Sequence, residues 1–412
     1  MVTAWKLAFK KSQDKTFSSF AAVSTVLGGN LGTGNIAGVA VALSQGGPGA
    51  LFWMWIMAFL GMSLKLTGCV LGILYRKRAH HGKYTGGPMY YLAYGLNKKF
   101  LAKGYCLFLL AGALTVGNLV QMNSIALPLS ALDIPPGLSG AIMSLLVALV
   151  IFGGLRRFSI VITKVVPVMA LLYIFACSLI LIYYYHNIAP SLLLIIQSAF
   201  MPGPIIGGAI GYTLVQVINA GFDRGLFATD AGVGLAPIIH ASVGKSPHET
   251  EEDFACQQGL ISMISPLIVM VVCTMTGLVI LVTGALNTPG LESTNMCVEA
   301  FCNGLKWEYG GHIVTLVLLL FAYTTILTWS FCADKAMGFL FGNRSIAIFR
   351  VIFVVLIPLG ALLDVNFVWT TADISMNLMF LVNIIGVCCL AHKTFPLLKK
   401  RNSSSVSSKN KL

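Results

Sequence analysis

The chain has 412 residues, of which 57% are apolar and 10% charged, and a net charge of +13. Soluble domains carry roughly 25% charged residues, so a water-exposed surface cannot be built from this composition. The basic residues sit in short clusters between apolar segments, with no basic stripe interleaved with aromatics, which argues against a nucleic-acid partner. Apolar runs recur nearly end to end without a long linker, and the simplest reading is one membrane domain lying in a lipid bilayer.

In chain order, Lys6, Lys10, Lys11 and Lys15 come before the first long apolar stretch and no small-residue cleavage site follows them. Residues 1–16 therefore read as a cytoplasmic lead-in and not as a cleavable signal. Taking about twenty apolar residues per span, transmembrane helices are predicted near 17–45, 49–75, 105–131, 136–155, 158–185, 205–240, 255–284, 311–335, 345–362 and 367–392. With the N-terminus inside, Lys306 falls outside, Lys65, Lys164 and Arg224 lie within spans, and every other Lys and Arg is cytoplasmic. A miscounted helix would move every later loop to the opposite side. The expectation is an all-α polytopic protein of about ten spans with both termini cytoplasmic. It divides into one domain over 17–392 and a basic tail over 393–412.

The first span is interrupted by Gly28, Gly29, Gly32, Gly34 and Gly38, with polar Asn30, Thr33 and Asn35 among them. The sixth is interrupted by Gly221, Gly225, Gly232 and Gly234, with Asp223, Arg224, Thr229 and Asp230. Glycine alone would signify close helix packing; the polar residues favour unwinding, which is tolerated at membrane depth only where backbone is buried in protein or lines a cavity. Broken helices at corresponding positions of two five-helix halves point to an inverted-repeat transporter, repeat one at about 17–185 and repeat two at about 205–392. Half-helix N-terminal ends favour a carboxylate, and freed carbonyls favour a hard cation such as sodium. The glycine spacing does not fit a nucleotide fingerprint, and no strand precedes it.

Charges within spans are functional candidates. Asp223 and Arg224 are adjacent and cannot face one another on a helix, so Arg224 is expected to meet Asp230 or a carbonyl across the break, as a gating or structural pair. Both carboxylates have Arg224 close in sequence to hold them ionised, which favours sodium over protons as the coupling ion. The acidic run from His248 to Asp253 reads as a solvated face or a helix N-terminal charge cluster. His80, His81, His186, His240, His248, His312 and His392 have neither metal-ligand nor triad spacing, so neither an enzyme nor a cofactor is expected. Of the ten cysteines, Cys69, Cys106, Cys177 and Cys273 read as small hydrophobes. Cys297 and Cys302 share an external loop where an oxidising compartment would allow a disulfide.

Three stretches, Gly32-Thr-Gly-Asn-Ile-Ala-Gly-Val-Ala40, Gly46-Gly-Pro-Gly-Ala-Leu-Phe-Trp-Met-Trp55 and Gly86-Gly-Pro-Met-Tyr-Tyr91, together with Arg224-Gly-Leu-Phe-Ala-Thr-Asp-Ala-Gly232 and Thr324-Thr-Ile-Leu-Thr-Trp329, resemble the alanine or glycine:cation symporter family in collinear order. The resemblance implies a leucine-transporter-type fold and sodium-coupled uptake of a small neutral amino acid, alanine, glycine or D-alanine, across a bacterial inner membrane. A proton-coupled or glutamine-preferring symporter is the alternative, with a channel or membrane enzyme behind it. Members of that family carry one further helix ahead of the glycine-rich one, a Glu at the position of Gly68, and Asn-Glu-Ala where this chain has Thr229-Asp230-Ala231. Transferred to matching positions, the resemblance places Asn30, Gly32, Thr33, Gly34, Asn35 and Gln121 around the substrate and makes Phe227, Thr325 and Trp329 the side-chain pocket. It assigns sodium to Thr324, Thr325, Thr328 and the backbone of the first break, and leaves Lys65, Asp223, Arg224 and Asp230 as gating or structural charges. The i, i+4 spacing of Thr325 and Trp329 puts both on one helical face.

Overall fold

A computed structural model describes residues 2–9, 17–78, 84–201, 213–247, 249–291 and 293–400. Lys10, Lys11, Lys15, His80, His81, Lys83 and His248, the start of the expected sixth span at 205–212, and the tail from 401 onward lie outside the described residues.

A short helix α1 (Val2–Ala8) precedes the first span, which is split into α2 (Ser19–Asn30) and α3 (Ala37–Gly46) around a 3-10 turn at Thr33–Asn35. Ser18 caps α2 by accepting from the Ala21 amide at 3.1 Å. Gly47, at φ +65° and followed by Pro48, ends α3 in the conformation that glycine adopts without a Cβ penalty. Next come α4 (Ala50–Leu74), an antiparallel pair of two-residue strands β1 (Lys77–Arg78) and β2 (Tyr84–Thr85), and the short α5 (Pro88–Tyr90). The third span runs as α6 (Lys99–Leu114) and α7 (Val120–Ser130), joined by a π turn at Thr115–Leu119. It is followed by α8 (Pro136–Ile151), α9 (Gly154–Tyr183) and α10 (Tyr185–Phe200). The second break separates α11 (Leu214–Thr229) from α12 (Leu235–Ala241). The remainder is α13 (Glu251–Ser262), α14 (Ile264–Val282), α15 (Ser293–Leu305), α16 (Gly310–Phe341), α17 (Arg344–Gly360) and α18 (Val365–Leu390).

Where described, each of the ten expected segments contains helix, and the two glycine-rich ones are interrupted. Among the described residues, six continuous stretches are long and apolar enough to cross a bilayer: Ala50–Leu74, Lys99–Ser130, Gly154–Tyr183, Glu251–Val282, Gly310–Phe341 and Val365–Lys393. The other four expected segments fall on the broken pairs α2/α3 and α11/α12 and on the shorter α8 and α17. Two helices replace expected loops. In α10 the buried Ser191, Ile195 and Ala199 recur every four residues, a periodic pattern that a search for unbroken apolar runs passes over. The helix α15 lies in the expected external loop, and there the two cysteines are unpaired. Cys297 is buried with Sγ 3.4 Å from the Ile36 carbonyl, Cys302 points to the Glu308 carbonyl at 3.3 Å, and both are free thiols. Five residues apart on one helix, they face different directions. The acidic run behaves as expected: Glu251, Glu252 and Asp253 form the first turn of α13, capped by Thr250.

The core sits where the broken spans meet their neighbours. Helix α4 packs on α11, α12 and α13, and α16 packs on α2, α6, α9 and α15. The outer faces of α8, α9, α17 and α18 expose Leu145, Leu171, Phe175, Val355 and Leu381, each more than half accessible. In water such a surface would be an aggregation patch; facing lipid it is the solvent-matched side, while the helices satisfy their own backbone polar groups.

Candidate functional site at the two helix breaks

The first break leaves its backbone to side chains. Gln121 of α7 accepts at Oε1 from both the amide and the hydroxyl of Thr33, each at 3.2 Å, and donates through Nε2 to the Val116 carbonyl at 2.9 Å. Val116 lies in the π turn, so one amide side chain satisfies groups freed by two local departures from α-helix. Space explains the glycines. A Cβ on Gly32 would fall 2.8 Å from Thr325 Oγ1 and 3.1 Å from Gln121 Oε1, and one on Gly34 would fall 2.6 Å from Cδ1 of Phe227.

The structure brings Asn30, Gly32, Thr33, Gly34, Asn35, Gln121, Phe227 and Thr325 together at this point. The two asparagines serve the backbone: Asn30 Nδ2 donates to the Thr229 carbonyl at 2.9 Å, linking the two breaks directly, and Asn35 Nδ2 donates to the Asn30 carbonyl. Trp329 is fully buried one helical turn from Thr325, with its ring over Gly112 and Gly117 of the third span; any side chain at 117 would collide with it.

The threonines of α16 divide by role. Thr325 Oγ1 donates to the Gly28 carbonyl at 3.0 Å and Thr328 Oγ1 to the Thr25 carbonyl at 3.1 Å, both across to α2. Thr324 bonds back to its own helix at Leu320 and Phe321, the common habit of a helical threonine, although its Cβ faces Gly28. Two carbonyls and two hydroxyl oxygens, buried and facing one another, are the hard-oxygen donors that an alkali cation prefers.

At the second break Asp230, Gly232 and Gly234 all take positive φ, +47°, +77° and +103°. Asn383 of α18 donates to the Gly232 carbonyl at 2.7 Å and Tyr105 of α6 to the Val233 carbonyl at 3.0 Å. Asp230 is buried, and its Oδ2 has no hydrogen-bond partner among the described residues.

The expected partner of Arg224 needs correction. Its Nη2 meets Asp373 Oδ2 of α18 at 2.8 Å, not Asp230, and its guanidinium lies 5.1 Å from the centroid of the Trp369 ring, which itself stacks on Phe227 at 5.1 Å. Arg224 sits a turn and a half before Asp230 on α11, and the positive-φ turn carries Asp230 to the opposite side of the helix end. Asp223 is exposed and borders a cavity of about 40 Å³ with Phe227 and Asp373. Buried Lys65 donates to Ser265 Oγ at 3.0 Å. Gly68, one turn on, faces Pro237, which a Cβ would meet at 3.0 Å.

Sequence reasoning missed the supports from other helices. Cys273 and Thr276 of α14 donate to Asn35, at Oδ1 (3.2 Å) and at the carbonyl (2.9 Å), and Tyr173 of α9 lies 2.7 Å from the Thr276 hydroxyl. For Asp373 and Asn383 a signal existed: each is a strongly polar residue inside an apolar span. For Cys273 and Thr276 there was none, because such residues are ordinary helix packing.

The sodium:alanine symporter family matches residues 1–411. The sodium/alanine symporter AgcS of Methanococcus maripaludis is 38% identical over 399 residues, covering 94% of this chain and 86% of that protein. An uncharacterised transporter of Haemophilus influenzae is 40% identical over 373 residues, covering 90% of this chain and 80% of its own. Among solved structures, MhsT in complex with L-phenylalanine superposes with a TM-score of 0.64 at 11% identity over 92% of this chain and 90% of that one. The likeness is one of fold, a leucine-transporter-type helical architecture, and in this chain the first and sixth expected spans are the broken ones.

Proposed function

The chain belongs to the sodium:alanine symporter family, and from that premise we propose that it imports a small neutral amino acid, alanine or glycine, together with sodium. It is a multi-pass membrane transporter and not an enzyme; the cargo, the coupling ion, a bacterial inner-membrane location with cytoplasmic termini, and ten spans divided at about 17–185 and 205–392 are part of the proposal. One observation carries it. The Thr25 and Gly28 carbonyls of α2 face the hydroxyls of Thr325 and Thr328 of α16 at 3.0–3.1 Å, next to a Gly32–Gly34 backbone on which Thr325, Gln121 and Phe227 close so tightly that neither glycine has room for a Cβ.

The chemistry of both ligands follows. When sodium enters, the two threonine hydroxyls turn their protons away and offer oxygen lone pairs beside the carbonyls, so the protein-to-protein hydrogen bonds are exchanged for ion coordination. The ten-residue α3 begins just beyond the break, and its N-terminal amides favour the substrate carboxylate. The C-terminal carbonyls of α2 favour the ammonium group and the ion. Thr33, held by Gln121, orients the backbone between them. Phe227 lies over Gly34 and sets the room for a side chain, with Trp369 and the Arg224–Asp373 pair as the layer closing above it.

The test is uptake of labelled alanine into proteoliposomes under separately imposed sodium and proton gradients. Uptake that requires inward sodium and persists with no pH gradient supports the reading. Uptake that ignores sodium and follows the pH gradient overturns the coupling ion. In the same assay Gly32→Leu, which places a side chain on Thr325 and Gln121, abolishes uptake while the folded protein remains extractable. Normal uptake by that variant would put the substrate elsewhere.

A further inference from the structure

Six of the basic residues that carry the sidedness expectation converge in space. Lys77, Arg78, Lys99, Lys103, Lys335 and Arg350 all border one cavity of about 690 Å³ between the β hairpin, α6, the corner between α8 and α9, and the facing ends of α16 and α17. Asp334 is the acidic group of its wall, and Arg350 already neutralises it, with Nη2 at 2.6 Å and Nε at 3.1 Å from Oδ2. Lys77 lies 3.5 Å from the centroid of the Tyr94 ring, and Arg78 donates to the Tyr84 hydroxyl at 3.2 Å. Those contacts position the cations and leave their charge in place, and gathering like charge in one concavity is unfavourable until an anion enters it.

The deeper wall is of another kind. Leu155, Phe158, Leu327 and Phe331 make it apolar. Among them Ser330 is 1% exposed, and its hydroxyl has no hydrogen-bond partner among the described residues. A cationic rim, an apolar floor and a buried hydroxyl between them suit an amphiphile with phosphate oxygens beside a hydrocarbon part; inorganic phosphate would use the rim alone. Among the described residues the wall takes nothing from α2, α3, α11 or α12, and its apolar floor is built on ring contacts of Phe331 with Phe158 and with Phe17, at 5.1 and 5.8 Å between centroids. The cavity is therefore distinct from the transport site.

We propose that this cleft binds the phosphate headgroup of an anionic phospholipid and, through it, clamps α6, α9, α16 and α17 at one end of the bundle. Basic pockets between helix ends are where such headgroups bind. The test uses the full-length purified chain in a neutral detergent, with its thermal midpoint followed while phosphatidylglycerol, phosphatidylcholine or inorganic phosphate is added, and with retained lipid counted by native mass spectrometry. Phosphatidylglycerol raises the midpoint and remains bound, whereas the other two do neither. The exposed pair change Lys99→Gln with Lys103→Gln, and separately Ser330→Ala, weaken the response by about tenfold in lipid concentration, and Lys164→Gln on the outer face of α9 leaves it unchanged. Because Lys99 and Lys103 are exposed, each single change serves if the pair does not fold. An equal shift from inorganic phosphate, an equal response from the Lys99 and Lys103 variants, or no response to phosphatidylglycerol in the unaltered chain overturns the proposal.

Discussion

Arg224 of α11 and Asp373 of α18 meet at 2.8 Å, which ties the broken sixth span to the last span directly above the Phe227–Trp369 stack. The arginine side chain is 9% exposed and the aspartate 33%, so the pair lies between a buried bridge and a surface one. Losing one partner of a buried pair costs about 3–5 kcal/mol, and partial exposure brings that to roughly 1–3 kcal/mol here. Asp373→Asn should lower the thermal midpoint and slow uptake, and adding Arg224→Gln should cost less than the sum of the two single changes. Strict additivity in that double-mutant cycle would mean that the two residues do not interact.

Sodium dependence should rest on the threonines that reach α2. Replacing Thr325 or Thr328 with Val keeps shape and removes an oxygen, and the sodium concentration for half-maximal uptake is expected to rise about tenfold, near 1.4 kcal/mol. Thr315→Val is the control, since its hydroxyl bonds back to Gly311 on the same helix. An unchanged sodium dependence in both Val variants would move the ion site away from α16.

Gln121→Leu leaves the amide and hydroxyl of Thr33 and the Val116 carbonyl without their partner. Unpaired buried polar groups cost about 1–3 kcal/mol each, so the variant should unfold at lower temperature and transport poorly. Gln121→Glu, which keeps the acceptor, should recover part of the uptake. Equal defects in both variants would show that acceptance from Thr33 is not what matters.

Trp329→Ala empties a fully buried site against Gly112 and Gly117 and is expected to cost about 3–5 kcal/mol. If the freed volume joins the substrate pocket, larger neutral amino acids should compete with alanine in the variant and not in the unaltered chain. Unchanged selectivity with the same stability loss would leave Trp329 as packing alone. Gly117→Ala, which forces a methyl group onto that ring, should reproduce the stability loss.

The membrane class, the order of the helical segments, the two breaks and most of the residues at them are legible along the chain alone. These are local properties: apolar runs of span length, glycines clustered with polar residues, and motifs read along one chain. The near-continuous apolar character that made the spans legible hid α10 and α15, whose burial is periodic or contributed by neighbours. Which side chains pair depends on the folded arrangement. Arg224 reaches Asp373 across 149 positions and not Asp230 six positions away, because a positive-φ turn swings the nearer carboxylate aside. Cys297 and Cys302, which share one expected external loop, are turned apart by the helix that carries them. Lysines that looked like scattered topology signals share one cavity, since helix ends distant in sequence meet at one end of the bundle. Contacts of this kind depend on how helices cross, and helix crossing is set by side-chain packing over the whole bundle.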